Sequence, residues 1–287
     1  MKLNDIYVRD PYILLYEGIY YLYSKLSVDA KEFVVYKSNN LVDWSEPKTV
    51  FKPKADFWGK YDFWAPEVHI YRGKFYMLAS FKSDNACRGT HILKANAPDG
   101  NFVPISDKPI TPDKWEALDG TLYIDKNNEP HMVFCHEWEQ IGDGTVCEIK
   151  LSEDLTEAIT KPRVLWSASD FSGGINAAHD NRLSLVTDGP FLFRSEQGEL
   201  FATWSTIGKD GYLVCLSKSS NGDIDGEWNV IQTPVYKNNG GHGMIFSDLN
   251  GKRYFVMHEP NIHPLERASI YELTEQKNNF TLMEVQI

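Results

Sequence analysis

Apolar residues along this chain come in short blocks separated by polar turn residues, and five stretches share one layout. They read RDPYILLYEGIYYLYS (9–24), APEVHIYRGKFYMLAS (65–80), LDGTLYIDKNNEPHMVFCHE (118–137), TDGPFLFRSEQGELFATWS (187–205) and GHGMIFSDLNGKRYFVMHE (241–259). In each, a polar residue opens an apolar strand and a turn follows at Glu17-Gly18, Arg72-Gly73, Asn127-Asn128, Gln197-Gly198 or Asn250-Gly251. Gly and Asn supply the positive φ that tight hairpins need. A second strand rich in Tyr, Phe and Val comes next, then a third at 33–38, 89–95, 145–152, 212–219 and 267–274. A polar turn ending near an aromatic (39–44, 98–102, 222–228 and 278–280) precedes a short fourth strand, and the third unit ends less distinctly through 155–166. No segment sustains a 3.6-residue period, so no long helix is expected.

Repeats of this length built from short strands predict a radial array of sheets. The expected fold is all-β, a five-bladed β-propeller with four-stranded antiparallel blades, forming a single domain over residues 1–287. An irregular β-sandwich is the rival, and five copies of one layout disfavour it. Connections 52–62, 81–88 and 167–186 are expected to be loops around a site.

In a propeller the innermost strand of each blade lines the central channel. The residues read as strand openers, Asp10, Glu67, Asp119, Asp188 and His242, would then converge at one end of it. Singly, Asp-Pro and Asp-Gly are ordinary turn dipeptides; the shared place in a fivefold repeat is what points to chemistry. Two carboxyl groups facing each other across a sugar are the minimum machinery for glycoside hydrolysis, one as proton donor and one as base or nucleophile. A third carboxylate nearby raises the donor's pKa by repulsion.

The net charge of −11 argues against nucleic acid and against an anionic membrane surface. It is compatible with a neutral sugar. No run of 18 apolar residues is present, and the opening MKLNDIYVRD lacks the apolar core of a signal peptide. Cys87, Cys135, Cys147 and Cys215 form no CxxC pair, so no zinc cage is expected and they read as reduced thiols. A cytoplasmic protein is the expectation.

RDP, WAPE (64–67), LDG (118–120), TDGP (187–190) and GGHGM (240–244), in this order, resemble glycoside hydrolase family 43, and the resemblance covers about residues 8–261. It implies a five-bladed propeller and an inverting mechanism on α-L-arabinofuranosides, β-xylosides, arabinan or some galactans. It makes Asp10 the general base and Asp119 the carboxylate that tunes and orients the acid. The family's acid is a Glu followed by Gly-Pro; here that place holds Asp188. Asp is one methylene shorter, which sets the proton back by roughly 1.2–1.5 Å, and such a displacement can slow a reaction about 100-fold. Three readings stand: Asp188 is a competent acid in a rearranged site, Glu137 has taken the role, or the chain is weakly active or inactive. The first is favoured because the other openers are intact.

The resemblance also places His242 at the axis, beside a water or, in some arabinan-cleaving members, a calcium ion. No cofactor or metal is expected otherwise, since a calcium site wants six to eight oxygens. Trp64, Glu67, Glu137, His242 and Arg267 are the candidate substrate contacts. Trp58, Phe63 and Trp138 are aromatic neighbours better read as packing, Glu67 serves equally as an inter-blade tie, and His258 is placed further from the axis. The leading function is thus an inverting exo-glycosidase acting on short plant-cell-wall oligosaccharides. The alternatives are a non-catalytic carbohydrate-binding propeller, a different sugar specificity such as galactosidase, or a phosphorylase.

Overall fold

The computed structural model describes residues 1–285 apart from 179, 181, 277 and 278. Twenty strands form five four-stranded sheets, each in sequence order from the inside outwards. The first blade holds β1 (Tyr12–Tyr16), β2 (Ile19–Ser24), β3 (Phe33–Ser38) and β4 (Lys48–Phe51). The second holds β5 (Tyr61–Tyr71), β6 (Lys74–Ser83), β7 (Ala86–Ala95) and β8 (Val103–Pro104). The third holds β9 (Ala117–Ile124), β10 (Pro130–His136), β11 (Thr145–Lys150) and β12 (Arg163–Ser167). The fourth holds β13 (Asp188–Arg194), β14 (Leu200–Gly208), β15 (Gly211–Ser219) and β16 (Trp228–Tyr236), and the fifth β17 (Gly241–Ser247), β18 (Arg253–Glu259), β19 (Arg267–Gln276) and β20 (Asn279–Glu284). The expected five-bladed propeller is therefore the observed one.

Two kinds of hairpin link the inner two strands. In the first two blades Glu17-Gly18 and Arg72-Gly73 both have positive φ, the backbone of a two-residue turn whose twist matches its strands. In the other three, Asp125, Ser195 and Asp248 close a longer loop, each accepting backbone N–H groups through its side-chain oxygen.

Two expectations are corrected. Residues 81–88 are no loop: β6 and β7 continue to a tight turn, with Ser83 paired to Ala86. The indistinct end of the third unit is a regular edge strand, β12, paired with β11 across a bulge. The start of the expected turn at 278–280 lies outside the described residues.

The core lies between blades rather than within one sheet. Blades one, two and five share one apolar cluster, and separate clusters fill the two–three, three–four and four–five interfaces. Between blades one and two, Phe81 meets the rings of Phe63 at 4.9 Å, Phe57 at 5.0 Å, Phe51 at 5.7 Å and Phe33 at 5.8 Å. Edge-on pairs of this kind add to burial.

All four strands of the last blade come from the C-terminal end of the chain, so the ring closes without a shared strand. The N-terminal segment latches onto that blade instead. Val8 N–H donates to the Glu266 carbonyl at 3.4 Å, Arg267 Nε to the Asn4 carbonyl at 3.0 Å, and Arg9 Nη1 to Glu266 Oε1 at 2.8 Å.

Removing the central ring of the aromatic cluster leaves a cavity that four packed phenyl groups cannot readily fill. Phe81→Ala is expected to lower stability by about 3–5 kcal/mol, read as a shift in urea midpoint by circular dichroism; a shift under about 1 kcal/mol would show that the blade interface repacks.

Candidate active site

In or just before the first part of each inner strand stands a residue in the left-handed region: Asp10 (φ 54°), Ala65 (46°), Asp119 (57°), Gly189 (49°) and His242 (48°). Pro or Gly follows in all five: Pro11, Pro66, Gly120, Pro190 and Gly243. In blades two to five the pairing of inner strand with second strand shifts at this point. A bulge with a left-handed residue bends the strand and re-aims its side chain, here toward the axis. The repeated position thus differs from the sequence expectation in two blades. Ala65 and Gly189 occupy it, with Glu67 two residues later and Asp188 one residue earlier.

A left-handed residue at a bulge has its N–H turned out of the sheet ladder, and a buried N–H needs a partner. In four blades a side chain of the preceding blade provides it. Asp10 N–H donates to His258 Nδ1 at 3.2 Å, Asp119 N–H to Ser80 Oγ at 2.9 Å, Gly189 N–H to Asp119 Oδ2 at 3.0 Å, and His242 N–H to Ser205 Oγ at 2.8 Å. Ser80, Ser205 and His258 are 0–1 % exposed and were not selected from the sequence. The signal was present: they stand at or next to the ends of the second strands KFYMLAS, LFATWS and RYFVMH.

The axial end of the channel opens into a cavity of about 330 Å³. Asp10, Asp119, Asp188, Trp64, Glu137 and His242 all line it, so the structure brings together most of the candidate residues. Two are not brought in. Glu67 is buried and pairs with His69 Nε2 at 3.0 Å, whose Nδ1 lies 3.4 Å from the Tyr12 hydroxyl on blade one; it is the inter-blade tie, because its place two residues past the bulge carries it below the cavity. Arg267 spends its guanidinium on the carbonyls of Asn4, Pro264 and Glu266. The arginine lining the site is Arg9, one residue before the left-handed Asp10. His258, placed further out from the sequence, lies against Asp10, with Nδ1 3.3 Å from Oδ1. Trp138 lines the cavity, whereas Trp58 donates to His91 Nδ1 at 2.8 Å and Phe63 is core.

The three aspartates share His242, whose Nδ1 is 3.1 Å from Asp10 Oδ1 and 3.6 Å from Asp119 Oδ2. Burial alone would raise Asp10, but the nearby charges, His242 first and then Arg9, outweigh it and hold its carboxyl well below the usual range. Asp119 goes the other way. Burial, with repulsion from Asp188 and Asp10, pushes it up to about 7 against the pull of His242. Asp188 is raised too, chiefly by burial and also by Asp10, although it accepts the Tyr212 hydroxyl proton at 3.0 Å. His242 is raised because the surrounding carboxylates outweigh its burial. Glu137 is pushed up by burial against the opposing charge of Arg88, which donates to it, binds Asp62 at 3.0 Å and stacks over Trp64 at 4.3 Å.

Gly189 admits no substitute, since a Cβ there would stand 2.6 Å from the His242 ring. Among the described residues no group of three or more His, Cys, Asp or Glu side chains is arranged to hold a metal ion. Among the described residues no helix is long and apolar enough to cross a membrane.

Between about pH 4 and 7 the folded protein keeps a proton on Asp119 that the unfolded chain has released, so stability falls as pH rises through that window. Asp119→Asn is expected to flatten the fall, measured as urea midpoints at both ends of the window. An unchanged slope would place the retained proton elsewhere.

The family model for glycosyl hydrolases family 43 matches residues 5–278. Among solved structures, an endo-arabinase from Bacteroides thetaiotaomicron VPI-5482 is 34% identical with a TM-score of 0.91, over 96% of this chain and 98% of that one. An endo-1,4-β-xylanase from the same organism is 20% identical (TM-score 0.77, 98% and 95% covered). An α-L-arabinofuranosidase from Lactobacillus brevis is 18% identical (TM-score 0.76, 98% and 97% covered); at that identity these last two speak for the fold alone. No curated protein matches the chain. The family match over nearly the whole length agrees with a carboxylate cluster at the axis of five blades, and the chain belongs to glycoside hydrolase family 43.

Proposed function

We propose that this glycoside hydrolase is an inverting exo-enzyme that releases terminal α-L-arabinofuranosyl or β-xylosyl residues from short oligosaccharides. The observation that carries this reading is the unlike surroundings of two carboxyls in one cavity: His242 and Arg9 stand beside Asp10 and favour its ionised form, whereas Asp188 has a phenol for partner and burial raises it toward its protonated form. An ionised carboxylate takes a proton from water as the water attacks the anomeric carbon, and a protonated one supplies a proton to the departing oxygen. One turnover leaves Asp10 protonated and Asp188 ionised, and exchange with solvent resets both.

Asp119 acts on Asp188 through the backbone. By accepting the Gly189 N–H it fixes the peptide that follows Asp188, while Tyr212 holds the carboxyl itself. Glu137 is the poorer donor, because it already holds the permanent cation of Arg88. The exo reading rests on cavity size, at the small end of the roughly 300–1,000 Å³ usual for ligand sites. It rests also on walls formed by the segments carrying Lys25 and Val28, Glu137 and Trp138, and His263 and Glu266. Four unbridged cysteines suit a reducing compartment, and we place the protein in the cytoplasm.

Asp10→Asn is expected to lower kcat on aryl arabinofuranosides and xylosides by about 10²–10⁴-fold with an unchanged circular dichroism spectrum. Asp188→Asn should lose rate steeply on poor leaving groups and little on dinitrophenyl glycosides, which need no protonation. The same signature in Glu137→Gln instead would move the acid there. NMR of the first-formed sugar should show the inverted anomer, and internal cleavage of arabinan would overturn the exo assignment.

A further inference from the structure

Four basic groups line the cavity, and among the described residues one of them has no carboxylate partner. Of the basic groups lining it, Arg9 pairs with Glu266 at 2.8 Å, His242 faces Asp10 at 3.1 Å, and His263 Nδ1 lies 3.7 Å from Glu266 Oε2. Lys25 differs. Its Nζ donates to the Val28 carbonyl at 2.6 Å and, among the described residues, forms no ion pair. It follows Ser24 directly at the end of β2, is half-buried, and lines the same wall as Tyr7 and Arg9. An ammonium drawn partly out of water without a counter-ion favours an anion arriving with the ligand. Burial lowers its pKa, and the acids that oppose this, Asp10, Asp29 and Asp62, act from beyond ion-pair distance.

We propose that Lys25 makes one wall of the cavity a subsite for a carboxylate carried by the sugar, so that uronic-acid residues are accepted alongside neutral pentoses. This deepens the hydrolase reading and rests on it. Xylose and glucuronate provide the contrast, for they share one pyranose ring and differ by the carboxylate at C5. A neutral hydroxyl would gain much less from the ammonium than a carboxylate, since bonds between charged partners are the stronger class.

The test is calorimetric titration of the full-length protein with xylose, glucuronate and inorganic phosphate, beside turnover of neutral aryl glycosides. Glucuronate should bind more tightly than xylose. Lys25→Met should reduce that preference by about tenfold to a hundredfold, and Lys25→Arg should retain most of it. No preference in the wild-type protein overturns the inference without recourse to a variant, as does binding of neither sugar. An equal loss for both sugars in Lys25→Met assigns Lys25 to a hydroxyl and overturns it, and phosphate binding without glucuronate binding overturns it in favour of a phosphate site. Turnover of neutral glycosides without glucuronate binding sinks this inference alone; glucuronate binding without any turnover sinks the hydrolase reading instead.

Discussion

The hydrogen bond that four of the five blades send to the head of the next inner strand is the constraint on which the site depends. A non-glycine residue in the left-handed region costs about 1–2 kcal/mol, and it turns an N–H out of the ladder. Asp10, Asp119 and His242 accept both penalties, and His258, Ser80 and Ser205 offset the second by catching the freed N–H. The same bonds that relieve the strain fix the catalytic backbones relative to the neighbouring blade. Propeller geometry and active-site geometry are therefore one set of contacts, and the apolar clusters between blades supply the rigidity that keeps these bonds in register.

Crowding three aspartates into one cavity is tolerable where the surroundings favour the ionised form of one and raise the other two toward their protonated forms. His242 lies within 3.6 Å of two of them, and its charge is spent mainly on Asp10. Asp119 then meets burial and repulsion from Asp188 and Asp10, Asp188 meets burial and repulsion from Asp10, and both rise. The surroundings set the two carboxyls apart: the one beside His242 and Arg9 is drawn toward its ionised form, and the one that accepts a phenol's hydrogen bond is raised by burial toward its protonated form. Such an arrangement trades stability for chemistry, which is the usual position of a site with perturbed carboxyls.

The blades were legible in the sequence because each strand announces itself through aromatic and β-branched residues between turn signals. The five-blade count and three of the five axial positions, Asp10, Asp119 and His242, followed from that pattern. The other two were misregistered for a physical reason. A bulge inserts a residue without changing the apolar alternation on either side, so the eye aligns carboxylates rather than backbone. The left-handed residue of blade two is an alanine that carries no polar flag, and that of blade four is Gly189, with the acid one step before it. The Pro or Gly that follows each of the five left-handed residues at the axis was the true marker, and it shares no side-chain chemistry across the repeat. Arg88 and Tyr212 were beyond reach for another reason: each arrives from a different strand, and only the closed ring brings it to Glu137 or Asp188.

On the proposed assignment, the register also bears on how an aspartate serves where the family resemblance leads one to expect a glutamate. The side chains over the cavity belong to two adjacent rings, the left-handed residues Asp10, Asp119 and His242, and the residues just before a left-handed one, Arg9, Trp64 and Asp188. Asp188 belongs to the outer ring, with a Gly-Pro step after it whose N–H is already tied to Asp119. Its reach is therefore set by how far that peptide is drawn toward the third blade as well as by its own methylene count. Tyr212 adds a second fix from β15 on the carboxyl oxygen. A shorter acid held at both its backbone and its carboxyl keeps a defined proton position, and what remains is the distance to the leaving oxygen, which substrate placement sets. Burial in that setting raises the pKa of an aspartate as it would that of a glutamate, so the exchange alters reach and leaves the protonation logic intact.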